Sequence, residues 1–320
     1  MPSTKPPGAA TVAVVGTGHV GATFAYALLM SGLAAEIVLI NRNRESAEGE
    51  AMDLTHAVPF ATPTLVRSGE YPDCAGASIV VLTAGTAQGG AGSRLDLVEE
   101  NGRIFREIVP AVVEQNRDAI LLIASNPVDS LTYAAWKLSG LPPGRVIGSG
   151  TILDTARLRA LLGRHLDVDP RDVDAFVVGE HGDSQVPVWS AASVCGQPIE
   201  RFAAAVGARY DDATRQEIAR ETRDAGPAVA ERKGATYYGV ATGLLRIVEA
   251  ILRDERSLLT VSTVQAGDGT RGEVALSLPC IVGRHGVERI IAPDLDVDER
   301  AALEASIKVL RETNDRLGLG

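Results

Sequence analysis

The chain has 320 residues, enough for about two domains that each bury a hydrophobic core. Its 31 Lys and Arg residues against 41 Asp and Glu residues leave a formal net charge of -10, which argues against a non-specific nucleic-acid surface or an anionic-membrane surface. Hydrophobic residues make up 45% of the chain, as in a globular protein, yet no apolar run reaches the ~18 residues that a membrane span needs.

The amino terminus and the cysteines indicate the compartment. Residues 1–8 lack the apolar core of a signal peptide, so we expect a flexible tail over residues 1–10. The three cysteines, Cys74, Cys195 and Cys280, are far apart and have no metal-ligand spacing. An odd number of separated cysteines is typical of a reducing compartment. The sequence therefore predicts a cytoplasmic protein that binds no metal.

A glycine motif stands between the first predicted strand and the first predicted helix. Residues 11–15 are apolar and partly β-branched, residues 22–31 are helix-forming, and G-x-G-x-x-G precedes that helix. Its glycines are Gly16, Gly18 and Gly21. In this context the first glycine allows a tight turn, the second lets a pyrophosphate approach the backbone, and the third lets the helix pack closely. The motif therefore predicts a dinucleotide site at the helix amino terminus.

The second predicted strand, residues 36–40, ends at Asn41. About twenty residues beyond such glycines, an Asp or Glu usually accepts a hydrogen bond from the adenosine ribose of NAD. Here an amide stands instead, followed by Arg42 and, two residues later, Arg44. Either Asn41 still binds the ribose while the arginines lie in solvent, or an arginine binds the 2′-phosphate of NADP, which an amide does not repel. We favour the first interpretation, and use of NADP stays open.

A glycine-rich segment follows the buried strand at residues 78–83. Residues 84–94 contain four glycines, which make a poor ordered turn but a good mobile lid. Arg94 opens a helical stretch over residues 95–113, in which Pro110 predicts a kink.

The remaining strands of the first half predict the fold class. Residues 119–124 form a strand that ends at Ser125-Asn126-Pro127-Val128-Asp129, and residues 146–149 form the last strand. Polar groups at the carboxyl ends of parallel strands lie where doubly wound sheets bind ligands. We predict an α/β fold, with a doubly wound parallel (Rossmann) sheet over residues 11–150 and a second α+β domain for the substrate over residues 151–320.

The second half contains candidate catalytic residues. Asp154 and Arg157 share one face of a helix predicted over residues 151–162, although such a pair is usually a surface ion pair of little energetic value. His181 stands between two glycines, which leave room for a ligand, and histidine exchanges a proton near neutral pH. An isolated loop histidine is more often bound to its own neighbours, so this candidate depends on its companions.

The rest of the chain predicts helices and two antiparallel strands. Pro227 should kink or end the charged helix over residues 215–232, and another helix begins near residue 234. Residues 260–264 and 274–282 predict the strands, and residues 298–317 an amphipathic helix.

Five motifs, taken together, resemble the NAD-dependent lactate and malate dehydrogenase family and, within it, the bacterial L-lactate dehydrogenases. They are Gly16-Thr17-Gly18-His19-Val20-Gly21, Ser125-Asn126-Pro127-Val128-Asp129, Gly150-Thr151-Ile152-Leu153-Asp154-Thr155-Ala156-Arg157, Gly179-Glu180-His181-Gly182-Asp183 and Lys233-Gly234-Ala235-Thr236-Tyr237-Tyr238-Gly239. All five motifs occur in the same order as in the family, which leaves little room for coincidence. The resemblance runs from about Thr11 to about Asp315.

The resemblance implies reversible hydride transfer between NAD(H) and lactate or pyruvate, with His181 as acid/base. Asp154 would orient the imidazole, and Arg157 would hold the substrate carboxylate with a two-pronged pair. Arg94, carried in by the lid, would polarise the substrate carbonyl. Asn126 and Thr236 would complete the polar wall around substrate and nicotinamide.

The resemblance also implies the cofactor contacts and the assembly. The contacts would come from Gly16, Gly18, Val20, Gly21, Asn41, Tyr71, Gly85, Ala124, Asn126 and Ser149. The protein would be a homotetramer that acts on a small molecule in fermentative metabolism. The alternative from another class is a non-catalytic nucleotide-binding protein that has kept the fold.

Substrate choice depends on Gln88. The corresponding lid position is glutamine in lactate dehydrogenases and arginine in malate dehydrogenases. A neutral amide leaves the second carboxylate of oxaloacetate unpaired in a dry site, which costs several kcal/mol. Gln88 therefore indicates pyruvate. A malate dehydrogenase or a dehydrogenase of branched 2-hydroxy acids is the alternative. The small residues after Gln88 predict a more flexible lid and some tolerance of bulkier 2-oxo acids.

Regulation by a sugar bisphosphate is a separate question. Many bacterial members of the family are activated by fructose 1,6-bisphosphate, which an arginine and a histidine bind across a subunit interface. Arg159 matches that arginine, but the histidine position is occupied by Asp174. Because an acid repels a bisphosphate, we expect weak or absent activation.

Overall fold

The structure is a computed structural model that describes residues 10–86, 94–265 and 273–319, with only the backbone of residues 94 and 95. The predicted tail up to residue 9 and the predicted lid residue Gln88 lie outside the described residues. In the described part of the chain, no helix is both long and apolar enough to cross a membrane.

Strands and helices alternate through the first half of the chain. The strands are β1 (Thr11–Val15), β2 (Glu36–Ile40), β3 (Leu65–Gly69), β4 (Ile79–Leu82), β5 (Ile120–Ile123), β6 (Val146–Gly148), β7 (Val173–Asp174), β8 (Val177–Val178), β9 (Val186–Pro187), β10 (Ser193–Val194), β11 (Gln197–Pro198), β12 (Ser257–Gln265), β13 (Val274–Gly283) and β14 (Gly286–Ile290). The α-helices are α1 (His19–Ser31), α2 (Arg44–Ala57), α3 (Arg94–Gln115), α4 (Val128–Ser139), α5 (Ile152–Leu166), α6 (Ile199–Val206), α7 (Asp212–Lys233), α8 (Tyr238–Leu252) and α9 (Val297–Asp315).

The first six strands are parallel and neighbour one another in the order β6-β5-β4-β1-β2-β3. The chain reverses direction across the sheet between β1 and β4, as in a doubly wound fold. Alternate residues of β1 face two core layers: Val12 and Val14 pack with α1 and α8, whereas Ala13 and Val15 pack with α3 and α4. Because helices cover both faces, β4 and β5 are buried and wholly apolar. The predicted Rossmann sheet is confirmed.

Strands from the second half continue the same sheet. β12 pairs antiparallel with β6 through Ser262 and Gly148, and β13 and β14 follow, so the sheet has nine strands within the described residues. The predicted antiparallel pair is confirmed, although its attachment to the parallel sheet was not expected from the sequence. The second, α+β part adds the small sheets β7-β10-β11 and β8-β9, with α5, α6, α7 and α9 around them.

The prolines do not end their helices. α3 continues through Pro110 to residue 115, and α7 continues through Pro227 to residue 233. The expectation that Pro227 could end its helix is wrong. Proline removes one backbone hydrogen bond, but α7 is capped by Asp211, which accepts from the Thr214 N–H at 2.9 Å, and the helix packs against α5. Tertiary contacts and a capped first turn offset this local loss.

Candidate active site

The candidate acid/base, His181, lies in the loop after β8 and contacts a buried carboxylate. Its Nδ1 atom is 2.5 Å from Asp154 Oδ2, and Asp154 Oδ1 accepts a hydrogen bond of 3.0 Å from Arg157 Nη1. The Asp154 side chain is 2% exposed, whereas the side chains of Arg157 and His181 are 18% and 27% exposed. The pair of Asp154 and Arg157 is therefore not a solvated surface ion pair. It belongs to a buried network that leaves parts of His181 and Arg157 accessible.

Two threonines join α5 to the strand that precedes this loop. Thr151 Oγ1 donates to the carbonyl of Val177 at 2.5 Å, and the Val177 N–H donates to Thr155 Oγ1 at 3.0 Å. Gly179, whose φ of +86° favours glycine, then forms a β-bridge with Ser277 through hydrogen bonds of 2.9 and 3.0 Å. These contacts hold the loop against α5 and so bring together the candidate acid/base and a carboxylate that are 27 residues apart in the chain.

The charges around the imidazole favour its protonated form. Burial by itself lowers the pKa of His181, but the charge and the hydrogen bond of Asp154, with a contribution from Asp129, raise that pKa above its ordinary value. Burial acts to raise the pKa of Asp154, yet the charges of His181 and Arg157 hold it below its ordinary value. The raised pKa of His181 favours the protonated ring that a general acid requires, and the lowered pKa of Asp154 favours the carboxylate that supports it.

The glycine motif leaves an open cradle at the amino terminus of α1. Gly16 has a φ of +103°, and a Cβ there would lie 2.5 Å from the backbone nitrogen of Ala84. A Cβ on Gly21 would lie 1.9 Å from the carbonyl oxygen of Gly16, so the helix packs against the turn at the limit of contact. In contrast, no atom of the described residues lies within 4 Å of a Cβ on Gly18. The space above Gly18 fits a pyrophosphate that approaches the backbone.

Asn41 lies at the end of β2, beside this cradle. Its Nδ2 donates to Thr17 Oγ1 at 2.6 Å, and its Oδ1 accepts from the Asn43 N–H at 3.1 Å. Arg44 already pairs with two glutamates at 3.0 and 3.1 Å. Arg42 is exposed and forms no ion pair with any described residue, so it is the arginine open to a phosphate at this position.

Further predicted contacts lie at the same edge of the sheet. Ala124 directly follows β5, Ser149 directly follows β6, and Gly85 stands three residues beyond β4. Asn126 stands two residues after Ala124 and is exposed. Because the carboxyl ends of neighbouring parallel strands meet at one edge, these residues lie along the same edge of the sheet as the glycine motif.

The remaining predicted contact residues are Val20, Tyr71 and Thr236. Val20, in the first turn of α1, and Tyr71, which begins a 3₁₀ helix after β3, are both partly buried against the core. Thr236 lies between α7 and α8, where its neighbour Tyr237 stacks on His19 with ring centroids 5.2 Å apart. This stacking brings the segment of Thr236 next to the glycine motif.

The predicted lid is the part of the site that the structure does not place. Gln88 lies outside the described residues. Arg94 is the first residue of α3, and the position of its side chain lies outside the description. The roles of both residues therefore stay predictions from the resemblance.

Sequence reasoning missed Asn101, which is fully buried on α3. Its Oδ1 accepts from the Thr86 N–H at 2.8 Å, and its Nδ2 donates to the carbonyl of Asn126 at 2.7 Å. Asn101 therefore joins the segments after β4 and β5. The available signal was its spacing of seven residues from Arg94, which places both on one face of the helix.

Two more polar residues support the network around His181. Asp129 accepts a hydrogen bond from the His181 backbone N–H at 2.7 Å. The amide of Gln185, oriented so that both its groups are satisfied, donates to Asp154 Oδ1 at 3.3 Å and accepts from the Arg223 N–H at 3.2 Å. Both residues belong to or adjoin the quoted motifs, but no pattern assigned them a partner. Although acids gather here, no three His, Cys, Asp or Glu residues in the described ranges form a group that could hold a metal ion.

Comparison with known proteins gives two family matches that together span most of the chain. Residues 10–148 match the lactate/malate dehydrogenase NAD binding domain, and residues 151–317 match the lactate/malate dehydrogenase alpha/beta C-terminal domain. An L-lactate dehydrogenase of Moorella thermoacetica is 50% identical over 313 residues, or 98% of this chain and 99% of that protein. L-lactate dehydrogenase 2 of Bacillus cereus is 50% identical over 303 residues, or 94% and 96%.

Solved structures agree in fold over nearly the same extent. MGS-M5, a lactate dehydrogenase from a Medee basin deep-sea metagenome library, superposes with a TM-score of 0.92 at 38% identity and covers 97% of this chain and 99% of that one. The minor L-lactate dehydrogenase from Enterococcus mundtii, in a ligand-bound form, superposes with a TM-score of 0.91 at 41% identity, with coverage of 96% and 98%.

Proposed function

The chain belongs to the lactate/malate dehydrogenase family, and we propose that it is an NAD-dependent L-lactate dehydrogenase that interconverts lactate and pyruvate. The observation that carries the proposal is the buried network of His181, Asp154 and Arg157, since binding a nucleotide alone has no use for such a network. Relatives named L-lactate dehydrogenase, 50% identical over almost the whole chain, support lactate as the substrate.

The side chains divide the work of proton transfer and substrate binding. Because Asp154 engages Nδ1 of His181, Nε2 is the atom that accepts the hydroxyl proton of lactate and returns it to the oxygen of pyruvate. Arg157, held by Asp154 through Nη1, offers the rest of its guanidinium to the substrate carboxylate. We further propose that Arg94 stabilises the charge that develops on the pyruvate oxygen, and that Gln88, Asn126 and Thr236 contact the substrate.

The glycine cradle and the strand ends fit NAD. Its pyrophosphate would be held by Gly16, Gly18, Val20 and Gly21, and its adenosine ribose would be bound by Asn41. The predicted residues after β4, β5 and β6, together with Tyr71, would contact the rest of the cofactor. NAD, when bound, supplies the hydride acceptor and NADH the hydride donor. Arg42, which is exposed beside Asn41, supports a subsidiary proposal that NADP is also accepted.

We propose the domain division, assembly and location as follows. Residues 11–150 bind the dinucleotide, and residues 151–320 carry the catalytic groups; the change between the two family matches at residues 148–151 supports this boundary. The protein is a cytoplasmic homotetramer whose partner is a small-molecule substrate. The net charge of -10 supports a surface that binds neither nucleic acid nor an anionic membrane.

A spectrophotometric assay of the reduced nicotinamide tests the function. Pyruvate, oxaloacetate and 2-oxoisocaproate are each offered with NADH and with NADPH. We expect pyruvate with NADH to react fastest. If oxaloacetate is the best substrate, the protein is a malate dehydrogenase. If 2-oxoisocaproate is the best substrate, it is a branched 2-hydroxy acid dehydrogenase. Equal rates with NADPH would support the subsidiary proposal that NADP is also accepted, with Arg42 as the candidate phosphate contact.

Replacing Gln88 with arginine tests whether this residue determines the choice of substrate. We expect kcat/KM for oxaloacetate relative to pyruvate to rise by about 10²-fold or more, because the new guanidinium pairs with the second carboxylate. Gln197→Arg, which adds the same charge on the exposed strand β11, is the control and should leave the ratio unchanged. An unchanged ratio of kcat/KM values in Gln88→Arg would show that another residue determines the choice of substrate.

Fructose 1,6-bisphosphate should activate the wild-type enzyme weakly or not at all. Arg159 is engaged within its own subunit, since its Nη2 lies 3.4 Å from Asp174 Oδ1 and its Nε donates to the carbonyl of Ala175 at 2.8 Å. Replacing Asp174 with histidine removes the repulsive charge and should strengthen activation about tenfold. Rates at neutral pH over a concentration series of the sugar bisphosphate decide this, and tight activation of the wild type would overturn the expectation.

A further inference from the structure

Glu70 is an acid beside the proposed ribose contact that the mechanism above does not use. Strands β2 and β3 are parallel neighbours, and Ile40 pairs with Gly69 at the end of their ladder. The residues that follow, Asn41 and Glu70, therefore leave the sheet side by side at its carboxyl edge. The end of β2 carries an amide where an acid is usual, and the end of the next strand carries an acid.

A short turn fixes the backbone of Glu70. Its N–H donates to Asp73 Oδ2 at 2.7 Å, and Asp73 Oδ1 accepts from Arg67 Nη1 at 2.7 Å. Burial acts to raise the pKa of Asp73, but the Glu70 N–H and the Arg67 guanidinium hold it below its ordinary value. The turn thus keeps its charged acceptor, and Glu70 starts from an anchored position at the end of β3.

The side chain of Glu70 reaches the first residue of α2. Its Oε1 lies 3.1 Å from Arg44 Nη1, while Glu48 Oε1 lies 3.0 Å from Arg44 Nε. The side chains of Arg44, Glu70 and Glu48 are 72%, 67% and 46% exposed, and ion pairs this exposed contribute little stability. One cation faces two acids, so the cluster leaves one negative charge uncompensated near Asn41.

This charge lies where NAD and NADP differ. NADP carries a 2′-phosphate on its adenosine ribose, which adds about −1.5 to −2 charges at neutral pH. The Glu70 carboxylate repels such a group, and its ion pair occupies a guanidinium that could otherwise bind the phosphate with two hydrogen bonds. Arg42, exposed on the other side of Asn41 in the chain, acts in the opposite direction.

We propose that Glu70 is a specificity residue for the cofactor. From the end of β3 its carboxylate supplies the negative charge that Asn41 does not supply from the end of β2, and it keeps Arg44 engaged. This inference rests on the proposed function, in which Asn41 binds the adenosine ribose. Glu70 makes NADH the preferred cofactor, although Arg42 is open to a phosphate.

Fluorescence titration of the full chain with NADH and with NADPH tests Glu70 without turnover. We expect the wild type to bind NADH more tightly. In Glu70→Gln the ratio of the two Kd values should shift by about tenfold toward NADPH, because the repulsion is removed and Arg44 is released. Arg44→Gln should shift the ratio in the opposite direction, since it leaves Glu70 and Glu48 uncompensated.

Moving the charge from β3 to β2 gives a rescue test. Adding Asn41→Asp to Glu70→Gln places an acid at the end of the neighbouring strand and should reverse most of the shift in the Kd ratio. Asn41→Asp alone should raise the preference for NADH above that of the wild type. If the double variant keeps the ratio of Glu70→Gln, a negative charge at this edge does not set the preference and the proposal is wrong.

A matched control removes a glutamate from another exposed ion pair between two elements. Glu221 Oε2 on α7 lies 3.0 Å from Arg164 Nη2 on α5, and the side chains are 39% and 73% exposed. Glu221→Gln should leave the Kd ratio unchanged.

Three results would overturn the inference: equal binding of NADH and NADPH by the wild type, an unchanged ratio in Glu70→Gln, or weaker NADH binding there without a gain for NADPH. The last result would make Glu70 a ribose contact. An inactive wild type whose Kd ratio responds as expected would overturn only the proposed reaction, whereas a wild type that binds neither nucleotide would overturn both.

Discussion

Replacing His181 with alanine is expected to lower kcat for both pyruvate and lactate by about 10³- to 10⁴-fold and to leave nucleotide binding nearly unchanged. The variant removes the atom that exchanges the proton, while the glycine cradle at Gly18 belongs to another part of the chain. Steady-state kinetics measure the first effect, and titration of NADH fluorescence measures the second.

The control replaces a histidine outside the site. His285 is exposed in the turn between β13 and β14, so His285→Ala should keep full turnover. Unaltered turnover in His181→Ala would contradict the mechanism. A wild type that binds NADH but turns over none of the 2-oxo acids would favour the alternative of a nucleotide-binding protein that has kept the fold.

Replacing Asp154 with asparagine is expected to lower kcat by about 10²- to 10⁴-fold. Both carboxylate oxygens accept hydrogen bonds, one from the His181 ring and one from Arg157. An asparagine can satisfy only one of them. If its NH₂ group faces Nδ1, it holds the proton on Nε2, which is the wrong tautomer for accepting a proton from lactate. If the NH₂ group faces the guanidinium, two donors oppose each other.

The same variant should change the pH dependence. Because the charge of Asp154 raises the pKa of His181, its loss lowers that pKa, and pyruvate reduction should fall at a lower pH than in the wild type. Rate profiles from acidic to alkaline pH measure this shift. An unchanged kcat with an unchanged profile would show that Asp154 does not orient or charge the histidine.

A second Glu or Asp paired with arginine at the same spacing provides the control. Glu217 and Arg220 on α7 are three residues apart, and each side chain is 54% exposed. Glu217→Gln should cost at most about 0.5 kcal/mol of stability and leave the rates unchanged. Asp154→Asn leaves Arg157 without its buried counter-charge and should destabilise the fold by several kcal/mol, which thermal unfolding followed by circular dichroism measures.

The parallel sheet and the cofactor cradle could be predicted from the sequence because their signals are local. An apolar run of four to six residues encodes each of the strands β1, β2, β4 and β5, and Gly16, Gly18 and Gly21 encode a turn within a single segment. The resemblance pointed to the residues of the reaction one by one. It did not place Asn101, Asp129 or Gln185, because a polar residue within a helix or loop does not reveal its partner.

Only the tertiary structure decided which distant groups meet. Asp154 lies 27 residues and Asp129 lies 52 residues from His181 in the chain, and they reach it because α5 and α4 both begin at the same edge of the sheet. The continuation of the sheet from β6 into β12 and the passage of α7 through Pro227 were decided in the same way. Local patterns encode backbone conformation over a few residues, whereas burial, charge and pKa depend on every segment that packs around a group.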